Sequence, residues 1–156
     1  MATYNSDNYN KAPFNNPYGN CSVAHASIAD LSAINSDAGA ASGDQLNMIY
    51  LPAGAKVLDG FVYTGTAAAA TSTIFLGIKY ADGTSTGGST GSATLDAGTA
   101  IAITATQAKT QLLFVPFTND VDTVAYASWV SPGAPTGGAG GQTLDVVLFY
   151  ESTGTK

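Results

Sequence analysis

Thr73-Ile-Phe-Leu-Gly-Ile-Lys-Tyr80, followed at once by Ala81-Asp82-Gly83, reads as an alternating segment. Ile74, Leu76, Ile78 and Tyr80 fall on one parity, and Thr73, Gly77 and Lys79 on the other. A period of two is the pattern of a half-buried strand, and Asp-Gly is turn chemistry. The same grammar repeats outward in both directions. Leu46 to Leu51 is a short apolar run closed by Pro52-Ala53-Gly54. Lys56 to Tyr63 follows, with Val57, Phe61 and Tyr63 read on one face and Leu58 and Val62 on the other. Downstream, short strands are expected at 93–95, at 99–106 around Ile101 and Ile103, at 112–117, at 121–130 and at 144–150. Leu112 to Phe117 is a continuous apolar run that reads as a buried strand, with Pro116 setting its end at an edge or bulge. In 121–130, Val124, Tyr126 and Val130 oppose Ala125 and Trp129. Residues 22–34 fit a strand face through Val23, Ala29, Leu31 and Ala33 and also a helical spacing through Ala24, Ile28, Leu31 and Ile34; the strand is preferred.

The connections between these strands are rich in Gly, Thr, Ser and Ala, at 65–72, 84–92 and 131–141. They read as loops. About eight short strands with turn signals between them predict an all-β antiparallel sandwich, jelly-roll-like. The 156 residues make one such domain. Residues 1–20 stand apart: Asn and Tyr recur, Pro13 and Pro17 break regular structure, and neither period shows. The organisation expected is therefore an extended N-terminal arm at 1–20 and a sandwich at 21–156. Tyr4, Tyr9, Phe14 and Tyr18 are the arm's candidate partner-binding residues, because aromatic rings supply contact area at little entropy cost.

Charge narrows the function. Only 10% of residues are charged, against about 25% in an average domain, and the net charge is −6. Five Lys and no Arg leave little with which to hold phosphates, so nucleic acid and anionic membrane surfaces are not expected partners. No apolar run approaches a membrane-spanning length, and Met1 to Asn5 shows no signal-peptide pattern. The lone His25 and the lone Cys21 do not build a catalytic triad or a multi-histidine metal site. The acids are nearly all Asp at turn positions, where they accept backbone hydrogen bonds. No catalytic residue, cofactor or metal is expected. A chain this poor in charge is suited to burying surface in protein partners.

Two segments carry a resemblance. Leu51-Pro-Ala-Gly-Ala-Lys-Val-Leu-Asp-Gly-Phe-Val-Tyr63 and Ser72-Thr-Ile-Phe-Leu-Gly-Ile-Lys-Tyr-Ala-Asp-Gly-Thr84 resemble the head decoration, or cement, proteins of tailed phages. The likeness runs from about residue 23 to 150, with 51–84 its distinctive part. It implies a jelly-roll-like fold, trimers or dimers at capsid symmetry axes, and clamping of neighbouring major capsid protein subunits, with no catalytic residues. A homo-oligomer, a trimer by preference, on the outer capsid surface of the virion is what this implies. The acidic balance fits an outward-facing position better than one against packaged DNA. A second expectation is a recognition module, a phage tail or fibre domain or a carbohydrate-binding sandwich, using Trp129 and Tyr126 as a ligand platform.

Overall fold

A computed structural model describes residues 3–6, 9, 21–28, 45–65, 72–82, 95, 101–103, 107–129 and 143–152. Among them are ten strands: β1 (Thr3–Asn5), β2 (Cys21–Ile28), β3 (Gln45–Leu51), β4 (Ala55–Thr64), β5 (Ser72–Tyr80), β6 (Ile101–Ile103), β7 (Ala108–Gln111), β8 (Phe117–Thr118), β9 (Thr123–Trp129) and β10 (Leu144–Ser152). Sheet I has the order β1-β3-β9-β5-β6, and sheet II the order β2-β10-β4-β7, with β8 also on β4. Every pair is antiparallel except β1 with β3. Setting β1 and β8 aside, the orders are 2-10-4-7 and 3-9-5-6, and the chain changes sheet at every step except from β5 to β6. That is the jelly-roll arrangement of two interleaved Greek keys, the fold class expected from the strand spacing.

The core lies between the sheets. Leu46, Met48, Leu51, Ile74 and Leu76 from sheet I meet Val57, Val62, Leu144, Leu148 and Tyr150 from sheet II, each at most 1% exposed. Burial pushes the Tyr150 hydroxyl above its ordinary pKa. β5 follows its alternation as read, with Ile74, Leu76 and Ile78 buried. β2 is a strand too, but Ala24, Ala26 and Ile28 face the core, while Val23 is 55% exposed. Its inner face is the one built of small side chains, so Val23 does not share a buried face. The continuation at 29–34 lies outside the described residues.

Two bulges reset the facing of the other strands. In β4, Phe149 pairs with Asp59 and Tyr150 with Val57, so Leu58 is an extra residue. One inserted residue reverses the parity beyond it. Val57 and Val62 therefore both point inward, and Phe61 and Tyr63 point out, correcting the grouping of Val57 with Phe61 and Tyr63. In β3 the shift between Asn47 and Ile49 makes Met48 the extra residue, and all of Leu46, Met48, Ile49 and Leu51 are buried.

The apolar run at 112–117 is not a strand along its length. β7 and β8 pair with β4 on either side of it, at Phe61 to Thr64 and at Lys56 and Val57. Pro116 has no N–H to give the ladder. Leu112 is buried and donates its N–H to the Gly60 carbonyl (2.9 Å), whereas Leu113 and Val115 turn to solvent at 66% and 83% exposed.

The turn that closes β3 is fastened from two sides. Ala55 N–H donates to the Pro52 carbonyl (3.1 Å), and Gly54 takes φ of 80°. A turn of this form needs positive φ at its third residue, which glycine supplies. Gly54 N–H reaches the Asn119 carbonyl at 2.7 Å, and Asn119 N–H reaches the Ala55 carbonyl at 2.9 Å. Asp122 completes the clasp, accepting from the Ala53 N–H (2.8 Å) and from the Tyr50 hydroxyl.

Candidate interaction surface

The outward face of sheet II is unusual for a sandwich. The strand register aligns Val23, Phe149 and Asp59 in one row across β2, β10 and β4. The next row is His25, Val147, Phe61 and Gln111, and the third is Ser27, Asp145, Tyr63 and Lys109. Aromatic and branched apolar side chains thus run diagonally over the middle of a face that commonly carries polar groups. Phe61 and Phe149 meet edge to face, with ring centroids 5.8 Å apart. Lys109 Nζ sits 3.8 Å from the Phe61 ring centroid and 5.6 Å from that of Tyr63. Its charge rests on the rings instead of standing free. His25 Nε2 and Asp145 Oδ1 are 3.1 Å apart at the margin.

Leu113 and Val115 share the parity of Lys109 and Gln111, the outward residues of β7, and lie just beyond them at the sheet edge. Among the described residues five large apolar side chains are exposed, and four of them, Val23, Tyr63, Leu113 and Val115, belong to this face or its edge. The fifth, Val121, stands by the Asp122 clasp, beside a hollow lined by Tyr80, Ala81, Asp82 and Asp122. Between the four on sheet II, Phe61, Val147 and Phe149 are half-buried, and apolar side chains grouped in this way mark a contact surface for a protein, a membrane or a ligand.

Sheet I is outwardly more polar. Lys79 Nζ donates to Gln45 Oε1 at 2.9 Å and lies 5.3 Å from the Tyr126 ring centroid. Burial lowers the Lys79 pKa. A Cβ built on Gly77 would come within 2.9 Å of the Tyr126 ring, so that ring lies over the glycine. At the edge of the sheet, Asn47 Nδ2 donates to Asn5 Oδ1 (2.9 Å) and Ser6 N–H to the Asn47 carbonyl (2.8 Å). Ser6 Oγ donates to the carbonyl of Met48, the bulge residue, at 2.8 Å.

The residues singled out in the sequence are distributed as follows. Tyr4 is the middle residue of β1, opposite Leu46, so the first part of the arm is a strand of sheet I. Tyr9 is half-buried and donates its N–H to the Ser6 carbonyl (3.1 Å). Phe14 and Tyr18 lie outside the described residues. Trp129 pairs with Ile74 at the end of β9, and its side chain is not among those described. Tyr126 packs on Gly77 as above. The sequence reading missed the grouping of Val23, Phe61, Val147 and Phe149. The available signal was β10 itself: Val146-Val147-Leu148-Phe149-Tyr150 is apolar on both parities, so one parity must face out of the sandwich.

The two packed sheets, with apolar side chains on the outer face of sheet II, define a jelly-roll β-sandwich. Among solved structures, the chain matches one described as "Capsid of Ralstonia phage GP4", with a TM-score of 0.64 and 16% identity, over 99% of this chain and 100% of that one. A chain of the "Cyanophage Pam1 capsid asymmetric unit" matches with a TM-score of 0.48 and 21% identity, over 90% and 91%. At 16% identity the first likeness is one of fold. No protein-family model and no curated protein matches the chain.

Proposed function

We propose that this is a structural protein of a tailed-phage virion, a decoration or cement protein that binds the outside of the capsid and bridges major capsid protein subunits. The observation that carries the reading is the apolar outer face of sheet II, which a lone sandwich has no reason to keep. Three features support it: the end-to-end fold likeness to a chain from a phage capsid, the acidic charge balance and the scarcity of charge. Its mechanism is binding energy. A protein that binds the assembled shell and not its separated subunits stabilises the shell by mass action. Copies act as a homo-oligomer, a trimer in the simplest arrangement, and the Tyr- and Asn-rich segment beyond Ser6 extends the contact. No catalytic step enters.

The test is to band a lysate of the native source on a density gradient and quantify the chain by mass spectrometry. Co-banding with full heads at a simple fixed ratio to the major shell protein is the expected result. A handful of copies per particle, or residence in the soluble fractions, overturns it. Removing residues 1–20 should weaken shell binding; unchanged binding removes the arm from the mechanism.

A further inference from the structure

We propose that the edge of β3, which β1 covers, is a receptor for residues 3–6 of a second copy of this chain, so that neighbouring copies are joined by exchange of β1. The inference deepens the reading above, because it presumes copies held side by side.

The seam between β1 and β3 has the properties of a docking site more than of a core strand. It is short, three residues in register, and parallel, while the other strand pairs in both sheets are antiparallel. Thr3 and Asn5 are exposed. The recorded side-chain links are polar: Asn5 to Asn47, and Ser6 to the Met48 carbonyl. Ser6 is buried at 6% exposed, and its hydroxyl satisfies a carbonyl that the β3 bulge displaces from the β9 register. The edge therefore reads this particular segment, with a backbone ladder for affinity and two side-chain contacts for identity. Without β1, β3 would be a bare edge strand, which folded proteins cover.

Nothing in these contacts depends on which copy supplies the segment. The choice is set by reach. Tyr9 N–H returns to the Ser6 carbonyl, so residues 10–20 make the connection to β2, and 11 residues extend to about 36–40 Å at most. Sheet I, five strands at about 4.8 Å spacing, is only about 20–25 Å wide. That upper bound exceeds the sheet width, so the length of the chain allows β1 to lie on the β3 edge of an adjacent copy. Exchange of an identical element is a low-cost route to an oligomer. Around a closed ring it leaves every β3 edge covered.

The experiment uses the full-length chain with Cys21→Ser, so that introduced thiols stand alone. Asn5→Cys and Asn47→Cys are made in separate chains carrying different tags, refolded together and oxidised. The two positions face each other across the seam, with their amide atoms 2.9 Å apart. A covalent dimer containing one copy of each chain is expected, and neither variant alone should give it in comparable yield. The double variant in a single chain reports the alternative. If it closes internally while the mixed sample gives no dimer, exchange is overturned. Circular dichroism confirms that each variant is folded, and Thr3→Cys with Gln45→Cys repeats the test two residues away in the register. Gradient co-banding with heads is read separately, so absence of exchange and absence of shell binding are distinct results.

Discussion

Leu113→Ser combined with Val115→Ser separates docking from folding. Full burial of a large aliphatic side chain contributes about 1.5–3 kcal/mol. Leu113 is 66% exposed and Val115 83% exposed. The fraction of each still open to a partner corresponds to roughly 1–2 kcal/mol apiece, or about 2–4 kcal/mol together. That is a ~30- to ~1000-fold loss in affinity if a partner covers both, and an upper estimate, since ordering costs offset part of the gain. The fraction already buried in the fold is small, so stability should fall by only about 1 kcal/mol, a shift of about 2–4 °C in a domain of this size. The assay is co-sedimentation of labelled protein with heads that lack it, alongside a thermal melt. Val121→Ser is the control, an exposed apolar residue away from sheet II, and it should leave binding unchanged. Binding of the double variant within twofold of the parent refutes the assignment of sheet II. An equal loss on Val121→Ser refutes it as well, since the effect would then be general hydrophobicity.

A Cβ on Gly60 would lie 2.7 Å from Leu148 Cδ2 and 2.9 Å from the Val147 carbonyl. Backbone cannot move aside cheaply, so Gly60→Ala should cost about 1–3 kcal/mol in a urea titration. Gly77→Ala meets only the Tyr126 ring, which can rotate away, and should cost less than Gly60→Ala. Ser6→Ala leaves the Met48 carbonyl unpaired, a loss of about 1–3 kcal/mol confined to the seam; amide exchange at Ser6 should quicken while the global melt barely moves. The Tyr50–Asp122 clasp gives stability a pH signature. The hydrogen bond from Tyr50, then that from Ala53, holds the Asp122 carboxyl below its ordinary value of 3.8. Its contribution is present above that value and is lost as pH falls through the lower folded one. The bond to Asp122, then burial, pushes Tyr50 from 10.0 to about 12, so its contribution is present below 10 and is lost as pH rises towards 12. Asp122→Asn should flatten both arms of the urea midpoint measured against pH.

The strands were legible wherever alternation ran unbroken. β5 shows it best, because it pairs with neighbours on both sides and has one parity committed to the core. The outer face was not legible, for a local reason. A bulge is a single extra residue with no composition of its own, and Leu58 looks like any other strand residue. Once it is inserted, Phe61 and Tyr63 exchange the core for the surface, and the surface becomes the feature of interest. The 112–117 run misled in the opposite direction. Six apolar residues in a row suit a buried strand, but Pro116 and the edge position prevent one, and alternate residues turn outward. β1 was invisible to periodicity because three residues are shorter than any period can register, and what holds it is two polar contacts made over 40 residues away in the chain.

The low charge and the two-sided apolar strands have one physical cause. A sandwich core accepts only one parity of each strand, yet β10 carries Val147 and Phe149 on the other. With 10% of residues charged, the chain has few charged groups to set there, and Lys109 lies against the Phe61 and Tyr63 rings. Sheet I sets Phe75 and Tyr126 beside polar groups, with Asn47, Lys79 and Gln45 hydrogen-bonded at its outer side and edge. The two inferred contacts therefore occupy different surfaces. A partner on sheet II meets the flat of one layer, while an exchanged β1 adds along the edge of the other. One copy can make both at once, and a network joined sideways by strands and inward by an apolar face resists being peeled away one copy at a time. Each copy lost would have to break its shell contact and its strand links together, so the links would slow release even where the shell contact alone is weak.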